Sequence, residues 1–112
     1  MKTFEDERGI IEDLKVGKDW SVTYISFKKG AVRGNHYHKQ TKQTDIILSG
    51  SFECFSGNKM VEMEAGDQIT HEANIPHAYR AIAAGEMVSV CHGVRIGENY
   101  EDDTFKLEKK LV

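Results

Sequence analysis

The sequence predicts an all-β fold, a closed or double-sheet antiparallel barrel built as one domain. Three observations support this prediction. Apolar residues recur mostly with a period of two, turn residues interrupt these runs about every eight to twelve residues, and helical periodicity is scarce. Seven or more short strands with this spacing are typical of a β-sandwich or a β-barrel.

The strands are predicted in order along the chain. Residues 21–27 (SVTYISF) alternate β-branched or aromatic residues with small polar ones, as a half-buried strand does. The further predicted strands cover residues 44–48, 51–55, 60–64, 68–71, 78–83 and 87–95. Glycine-containing turns separate them at Ser49-Gly50, 56–59, 65–67 and 84–86. The tail, residues 102–112, is compatible with a short helix or with an edge strand.

Composition limits the classes of function. The chain has 112 residues, 39% of them hydrophobic, and a net charge of −3, so no broad basic field indicates nucleic acid or an anionic membrane as the main partner. Cys54 and Cys91 are far apart and are predicted to be buried, reduced thiols. The charged N-terminus lacks the apolar core of a secretory signal, and no apolar run approaches the roughly 20 residues of a membrane span, so a cytoplasmic protein is expected.

Three histidines and one glutamine form a candidate metal site. His36 and His38 are two residues apart, and on a β-strand such side chains point to the same face. The later Pro76-His77 pair supplies a third imidazole, and Gln43 supplies an amide oxygen. This ligand set leaves open positions for a substrate and suits a divalent ion such as Zn, Ni, Mn or Fe.

The spacing of these residues forms a motif. It runs Gly30, five residues, His36, one residue, His38, four residues, Gln43, six residues and Gly50. The motif resembles the first motif of the cupin superfamily, which normally has Glu where this chain has Gln43. A looser second motif opens at Gly66-Asp67 and closes at 74–77 (NIPH), with Glu72 and Ala81 departing from the family pattern.

The cupin resemblance covers residues from about 20 to 95. It implies a double-stranded β-helix, the cupin jelly-roll barrel, as a single domain over residues 1–112. It also implies a homodimer, with the N-terminal strand and the C-terminal tail at the dimer interface. The metal ligands implied by the motifs are His36, His38, Gln43 and His77.

A second resemblance concerns the substrate. The segments 4–9 (FEDERG) and 33–37 (RGNHY) are similar to segments of cupin epimerases and ketoisomerases of nucleotide-linked deoxysugars. The ketoisomerases also carry a run that His36, His38, Lys39 and Gln43 match. In those enzymes an arginine beside the first histidine helps to hold the substrate and a histidine moves protons, typically without a metal. The resemblance implies Arg33 and Arg8 as candidates for phosphate or carboxylate binding, and His36 or His38 as the base.

A third resemblance links metal and sugar chemistry. Residues 66–90 look like those of small metal-dependent cupins that convert unsaturated uronates to linear ketoacids with a His, His, Gln, His ligand set. The resemblance implies a metal that holds the ring oxygens while polar side chains move protons. The candidate catalytic residues are His38, Tyr79 and His92, and the candidate substrate-binding residues are Arg33, Gln68 and Arg80.

The favoured hypothesis is therefore a metal-binding cupin that acts on a small carbohydrate-like substrate as an isomerase, epimerase or uronate ring-opening enzyme. One alternative is a metal-dependent dioxygenase, which the missing glutamate disfavours. The other is a non-catalytic module that binds a small sugar or acid. The expected partners are this small molecule and a second copy of the chain, with neither nucleic acid nor membrane.

Overall fold

The computed structural model describes residues 3–93 and 103–112, and its regular structure there is β-strand except for a 3₁₀ position at Asp103. The described residues form nine strands: β1 (Thr3–Asp6), β2 (Gly9–Val16), β3 (Trp20–Phe27), β4 (Val32–Tyr37), β5 (Lys42–Ser56), β6 (Lys59–Glu64), β7 (Gln68–His71), β8 (His77–His92) and β9 (Phe105–Lys106). Every pairing is antiparallel. The predicted all-β class is confirmed.

Two long strands organise the sheet. β8 pairs with β5 on one side, and on its other side it pairs with β3 through its second half and with β4 through its first half. Neighbouring strands in the sheet follow the order β1-β2-β3-β8-β4-β9. β5 pairs with β6 and β7 as well as with β8. Because β5 and β8 are shared along their whole length, the sheet curls on itself and surrounds an interior.

The predicted breaks at Ser49-Gly50 and at 84–86 are irregularities within continuous strands rather than loops. The register between β5 and β8 shifts at Ser49 and Ser51, which is where the two strands bend together. Gly50 has a φ of 84°, and a Cβ there would lie 2.6 Å from both the Ala84 oxygen and the Gly85 Cα. Glycine therefore permits the close approach of the two strands at this bend.

The chain ends add strands that the periodicity alone did not locate. β1 and β2 form an N-terminal hairpin, whose turn is held by the Arg8 backbone N–H and guanidinium donating to the Asp6 carboxylate. In the tail, the edge-strand alternative is observed, since β9 pairs with β4 at Tyr37 and His36. No helix long and apolar enough to cross a membrane occurs in the described part of the chain.

The core follows the alternation of the strands. Its buried members are Phe27, Ile47, Phe52, Cys54, Met63, Tyr79, Ala81 and Met87. Phe27 and Phe52 pack edge to face with ring centroids 4.9 Å apart. Cys54 and Cys91 are buried and form no disulfide, as predicted.

Candidate metal centre

Three histidines meet where β4 lies against the start of β8. His36 is on β4, His38 follows the end of that strand, and His77 opens β8 opposite His36 in the register. Their ligand atoms all lie within 4.8 Å of one another. The ring centroids of His36 are 4.9 Å from His38 and 4.7 Å from His77. The three imidazoles that the spacing selected therefore form one cluster.

A bulge in β4 allows this meeting. The register with β8 shifts between Gly34 and His36, and the intervening Asn35 has a φ of 57°. Gly34 has a φ of 95°, and a Cβ on it would lie 2.9 Å from the Ala78 Cα and from the His77 oxygen. Any side chain at Gly34 would push β4 away from the strand that carries His77.

His77 presents a neutral nitrogen to the cluster. Its Nδ1–H donates to the Ile75 backbone oxygen at 3.2 Å, so Nε2 carries the lone pair. This Nε2 is buried without a hydrogen-bond partner among the described residues. Burial, reinforced by the adjacent His71, lowers the pKa of His77 to about 3. A buried, unpartnered acceptor of this kind is expected where a cation binds.

His38 and Gln43 face each other with two acceptor atoms. The Nδ1–H of His38 donates to the Asp103 backbone oxygen at 2.8 Å, which leaves the lone pair of a neutral ring on Nε2. That Nε2 lies 3.1 Å from Gln43 Oε1. Two lone pairs at this distance need a shared proton or a shared cation between them. Adjacent ligands of an ion bound at about 2.1 Å are separated by roughly this distance.

These observations fit a divalent metal. The three imidazoles and the Gln43 oxygen converge, the His77 Nε2 has no other partner within residues 3–93 and 103–112, and the second nitrogens of His38 and His77 are fixed by backbone carbonyls. Such outer hydrogen bonds orient histidine ligands in known metal sites. The ligand set is neutral, which suits Zn, Ni, Mn or Fe.

A cavity of about 500 Å³ extends from the cluster. Besides core residues, polar side chains line it, namely Arg8, Asp13, Ser21, Thr23, Arg33, His36, Gln43, His77, Tyr79, Ser89, Thr104 and Lys106. Arg33 is buried, and its Nε and Nη1 atoms have no partner among the described residues, while its Nη2 donates to the Ser26 oxygen at 3.1 Å. Burial, and secondarily Arg8, lowers the pKa of Arg33. The cavity thus holds a guanidinium with donors to spare.

Tyr79 also lines the cavity, and its hydroxyl belongs to a buried network. It donates to Asp45, and the His71 Nε2–H donates to it at 2.7 Å. The His71 Nδ1 accepts from Ser56 Oγ at 3.1 Å, and the His71 ring stacks on His77 with centroids 4.3 Å apart. Burial and the Asp45 carboxylate raise the pKa of Tyr79 well above its usual value. The hydroxyl therefore stays protonated at neutral pH.

The other predicted site residues lie outside the cavity. Gln68, Arg80 and His92 are exposed, and none of them lines it. Arg80 pairs instead with Glu53. His92 lies at the end of β8 opposite Trp20, while the buried side of that strand carries Ser89 and Cys91. Alternation identified two faces of β8, but not which face turns inward.

Sequence reasoning missed Asp45 and Asp103. Asp45 is fully buried behind Gln43, and the Asp103 carboxylate accepts from the backbone N–H groups of Lys39 and Gln40 and from the Thr41 hydroxyl. The signal for Asp45 was available, because it lies two residues after Gln43 on a strand and so shares its face. The contact between His38 and Asp103 joins residues 65 positions apart, so no local sequence pattern could predict it.

Comparison with solved structures supports the architecture. KdgF from Halomonas sp. superimposes with a TM-score of 0.75 at 18% identity, over 83% of this chain and 86% of that one. A conserved protein of unknown function from Streptococcus pyogenes has a TM-score of 0.66 at 28% identity, over 72% and 70% of the two chains. The capsular polysaccharide assembling protein CapF from Staphylococcus aureus has a TM-score of 0.77 at 18% identity. That match covers 96% of this chain but only 32% of CapF, so this chain spans about a third of that protein.

No curated protein matches the sequence. The model of the cupin domain family matches residues 23–93, which include both histidine motifs and most of the curled sheet. The double-stranded β-helix predicted from the motifs is the architecture observed, and the chain belongs to the cupin domain family.

Proposed function

We propose that the protein is a metal-binding cupin that isomerises or opens a small sugar acid. One observation carries this proposal: three histidines and the Gln43 oxygen converge at one end of a cavity whose wall also contains Arg33, whose buried Nε and Nη1 have no partner among the described residues. A Lewis acid and a buried cation in one cavity suit a substrate with both a carboxylate and hydroxyl or carbonyl oxygens.

The ligands are His36, His38, Gln43 and His77. A divalent ion held by them would supply Lewis-acid polarisation of a substrate oxygen, which would make a neighbouring proton easier to remove. Because all four ligands are neutral, the ion keeps more of its Lewis acidity than with a glutamate in the set. His38 serves here as a ligand fixed by the Asp103 backbone oxygen.

Arg33 binds the carboxylate of the substrate. Its Nε and Nη1 protons are buried without partners in the described part of the chain, and burial leaves a guanidinium hydrogen bond to a carboxylate stronger than in water. Lys106 and Arg8 also line the cavity and add positive charge. A neutral sugar can accept hydrogen bonds from these groups but gains no charge pairing, so the cavity favours a sugar acid.

Tyr79 delivers a proton to the substrate. Tyr79 lines the cavity, and its raised pKa keeps the hydroxyl protonated. The Asp45 carboxylate and the His71 Nε2–H hold this hydroxyl in place, and the phenolate left by the transfer takes up the proton that the substrate releases. Gln68, Arg80 and His92 have no part in this mechanism, because they lie outside the cavity.

Metal titration tests the site. Protein stripped with a chelator is titrated with Zn²⁺, Ni²⁺ or Mn²⁺ by calorimetry, and the variants His36→Ala and His77→Ala are compared with His92→Ala. Loss of a ligand weakens binding strongly, whereas the exposed His92 serves as a matched histidine control. Equal affinities for all three variants and the wild type would show that these histidines do not form a metal site.

Substrate trials test the reaction class. The metal-loaded protein is incubated with saturated and unsaturated uronates and with the corresponding neutral sugars, and the products are followed by NMR. Turnover of acids, lost in Arg33→Gln and kept in Arg80→Gln, supports the proposal. Oxygen uptake that depends on the added acid would establish the dioxygenase alternative, and saturable binding without any product would establish the binding module.

The homodimer is retained as a proposal. The N-terminal hairpin and the start of β3 expose four large apolar side chains, Phe4, Leu14, Val16 and Trp20. Exposed apolar side chains of this kind are typical of a protein–protein interface. Light scattering of the wild type and of Leu14→Glu is the test. A monomer in both cases would refute the dimer.

A further inference from the structure

Gln43 and Asp45 form a pair on the inner face of β5. They are two residues apart on one strand, so both side chains point inward. Gln43 is 7% exposed and lines the cavity, whereas Asp45 is fully buried and does not line it. Asp45 thus lies directly behind the glutamine, where it touches neither solvent nor substrate.

The carboxylate of Asp45 fixes which end of the Gln43 amide faces the histidines. Gln43 Nε2 donates to both carboxylate oxygens, at 2.9 and 3.0 Å. The two ends of an amide have nearly the same shape, and only their hydrogen-bond partners distinguish them. A carboxylate can only accept, so it holds the NH₂ end and turns Oε1 towards His38 Nε2.

Asp45 is itself held in place. The hydroxyls of Tyr79 and Ser89 donate to it, and His71 Nε2 lies 3.3 Å from its Oδ2. The two hydroxyls lie on β8 and His71 lies on β7, so two strands besides its own β5 hold this carboxylate. Its orientation is therefore set before any ligand arrives, which is how an outer residue orients a metal ligand.

We propose that Asp45 is a positioning residue that makes Gln43 a metal ligand and supplies, from behind it, the negative charge that the usual cupin glutamate would carry. This inference rests on the metal site of the proposed function. The ion lies among neutral ligands in a buried place, where an uncompensated charge is costly. Asp45 lies one hydrogen bond beyond the Gln43 amide and compensates that charge without entering the ligand set.

Exchanging the two groups tests the inference. Four proteins are stripped of metal and titrated with Zn²⁺ or Ni²⁺ alone by calorimetry: wild type, D45N, Q43E and the swapped pair Q43E/D45N. D45N is expected to bind about 10- to 100-fold more weakly, because its side chain no longer selects the amide orientation or compensates the charge. Q43E places two carboxylates against each other, whereas the swapped pair restores one carboxylate and one amide.

The swapped pair is expected to bind metal more tightly than either single variant. D13N is the matched control, because Asp13 is a second carboxylate at the cavity whose partner is the Thr23 hydroxyl rather than Gln43. It should keep the affinity of the wild type. Near-ultraviolet circular dichroism verifies folding, and if D45N does not fold, the comparison of Q43E with Q43E/D45N decides the question alone.

The outcomes are distinguishable from failure of the proposed function. If the wild type binds neither metal, the metal site is wrong and the inference falls with it. If the wild type binds metal and D45N binds it equally, or if Q43E binds at least as tightly as the swapped pair, the metal site stands and the role of Asp45 is refuted. Rescue by the swapped pair is the result that a merely structural carboxylate would not give.

Discussion

His77 is expected to make the stability of the metal-free protein depend on pH. It is 2% exposed, and burial together with the neighbouring His71 lowers its pKa from 6.5 to about 3. The unfolded chain therefore binds a proton at this residue as the pH falls below 6.5, while the folded chain does not until about pH 3. Because the unfolded state binds more protons in this window, stability rises with pH there and is lost as the pH falls.

The size of this effect follows from the shift. Each pH unit inside the window changes the free energy of unfolding by about 1.4 kcal/mol, so lowering the pH from about 7.5 to about 4.5 removes roughly 2.6 kcal/mol through His77. Asp45 does not interfere, because its pKa is lowered and its contribution is lost only below about pH 4.

Urea denaturation across this range, with a chelator present, measures the effect. The wild type is compared with His77→Gln, which cannot bind the proton, and with His92→Gln, which removes an exposed histidine. We expect His77→Gln to lose most of the pH dependence and His92→Gln to retain it. The same slope in the wild type and in His77→Gln would refute the reasoning that His77 is buried in its neutral form.

Three further predictions concern the frame of the site. Gly34→Ala should destabilise the protein by roughly 1–3 kcal/mol in urea, because its φ is positive and the added Cβ meets the backbone of β8; unchanged stability would exclude this close approach. Asn35→Gly keeps the positive φ but removes the side chain that accepts hydrogen bonds from the backbone N–H groups of Leu111 and Val112. Amide hydrogen exchange at these two residues should therefore accelerate, whereas exchange in β5 should stay unchanged and serves as the reference. Burial raises the pKa of Cys54 to about 11, so its thiol should resist a disulfide reagent at neutral pH until the protein is denatured, and rapid labelling of the native protein would contradict this.

Local patterns in the sequence were sufficient for most strands and for the histidine cluster. Residues 21–27 and 68–71 alternate clearly and became strands close to those bounds. His36 and His38 are adjacent on one face because of a period that holds in any strand. The predictions succeeded where the information is contained within a few neighbouring residues.

Other features depend on contacts between distant parts of the chain. Gly50 and Gly85 look like turn residues, yet each meets the opposite long strand and permits a bend without a break. The inner face of β8 was not predictable, because Val88 and Val90 suggested one side whereas Ser89 and Cys91 occupy the buried one. Small and polar residues can line an interior that contains a cavity, and hydrophobicity alone then indicates the wrong face.

The replacement of glutamate by Gln43 has a physical consequence that the motif alone does not show. A glutamate ligand donates to the ion and neutralises part of its charge with the same atom. In the proposed site these two tasks are separated, since Gln43 offers the oxygen and Asp45 offers the charge from behind the amide. The negative charge that compensates the ion then lies farther from it than a ligand carboxylate would. The ion therefore binds less tightly but polarises a substrate oxygen more strongly. Such a balance favours chemistry that stabilises a developing enediolate, which is the reaction class proposed for this cavity.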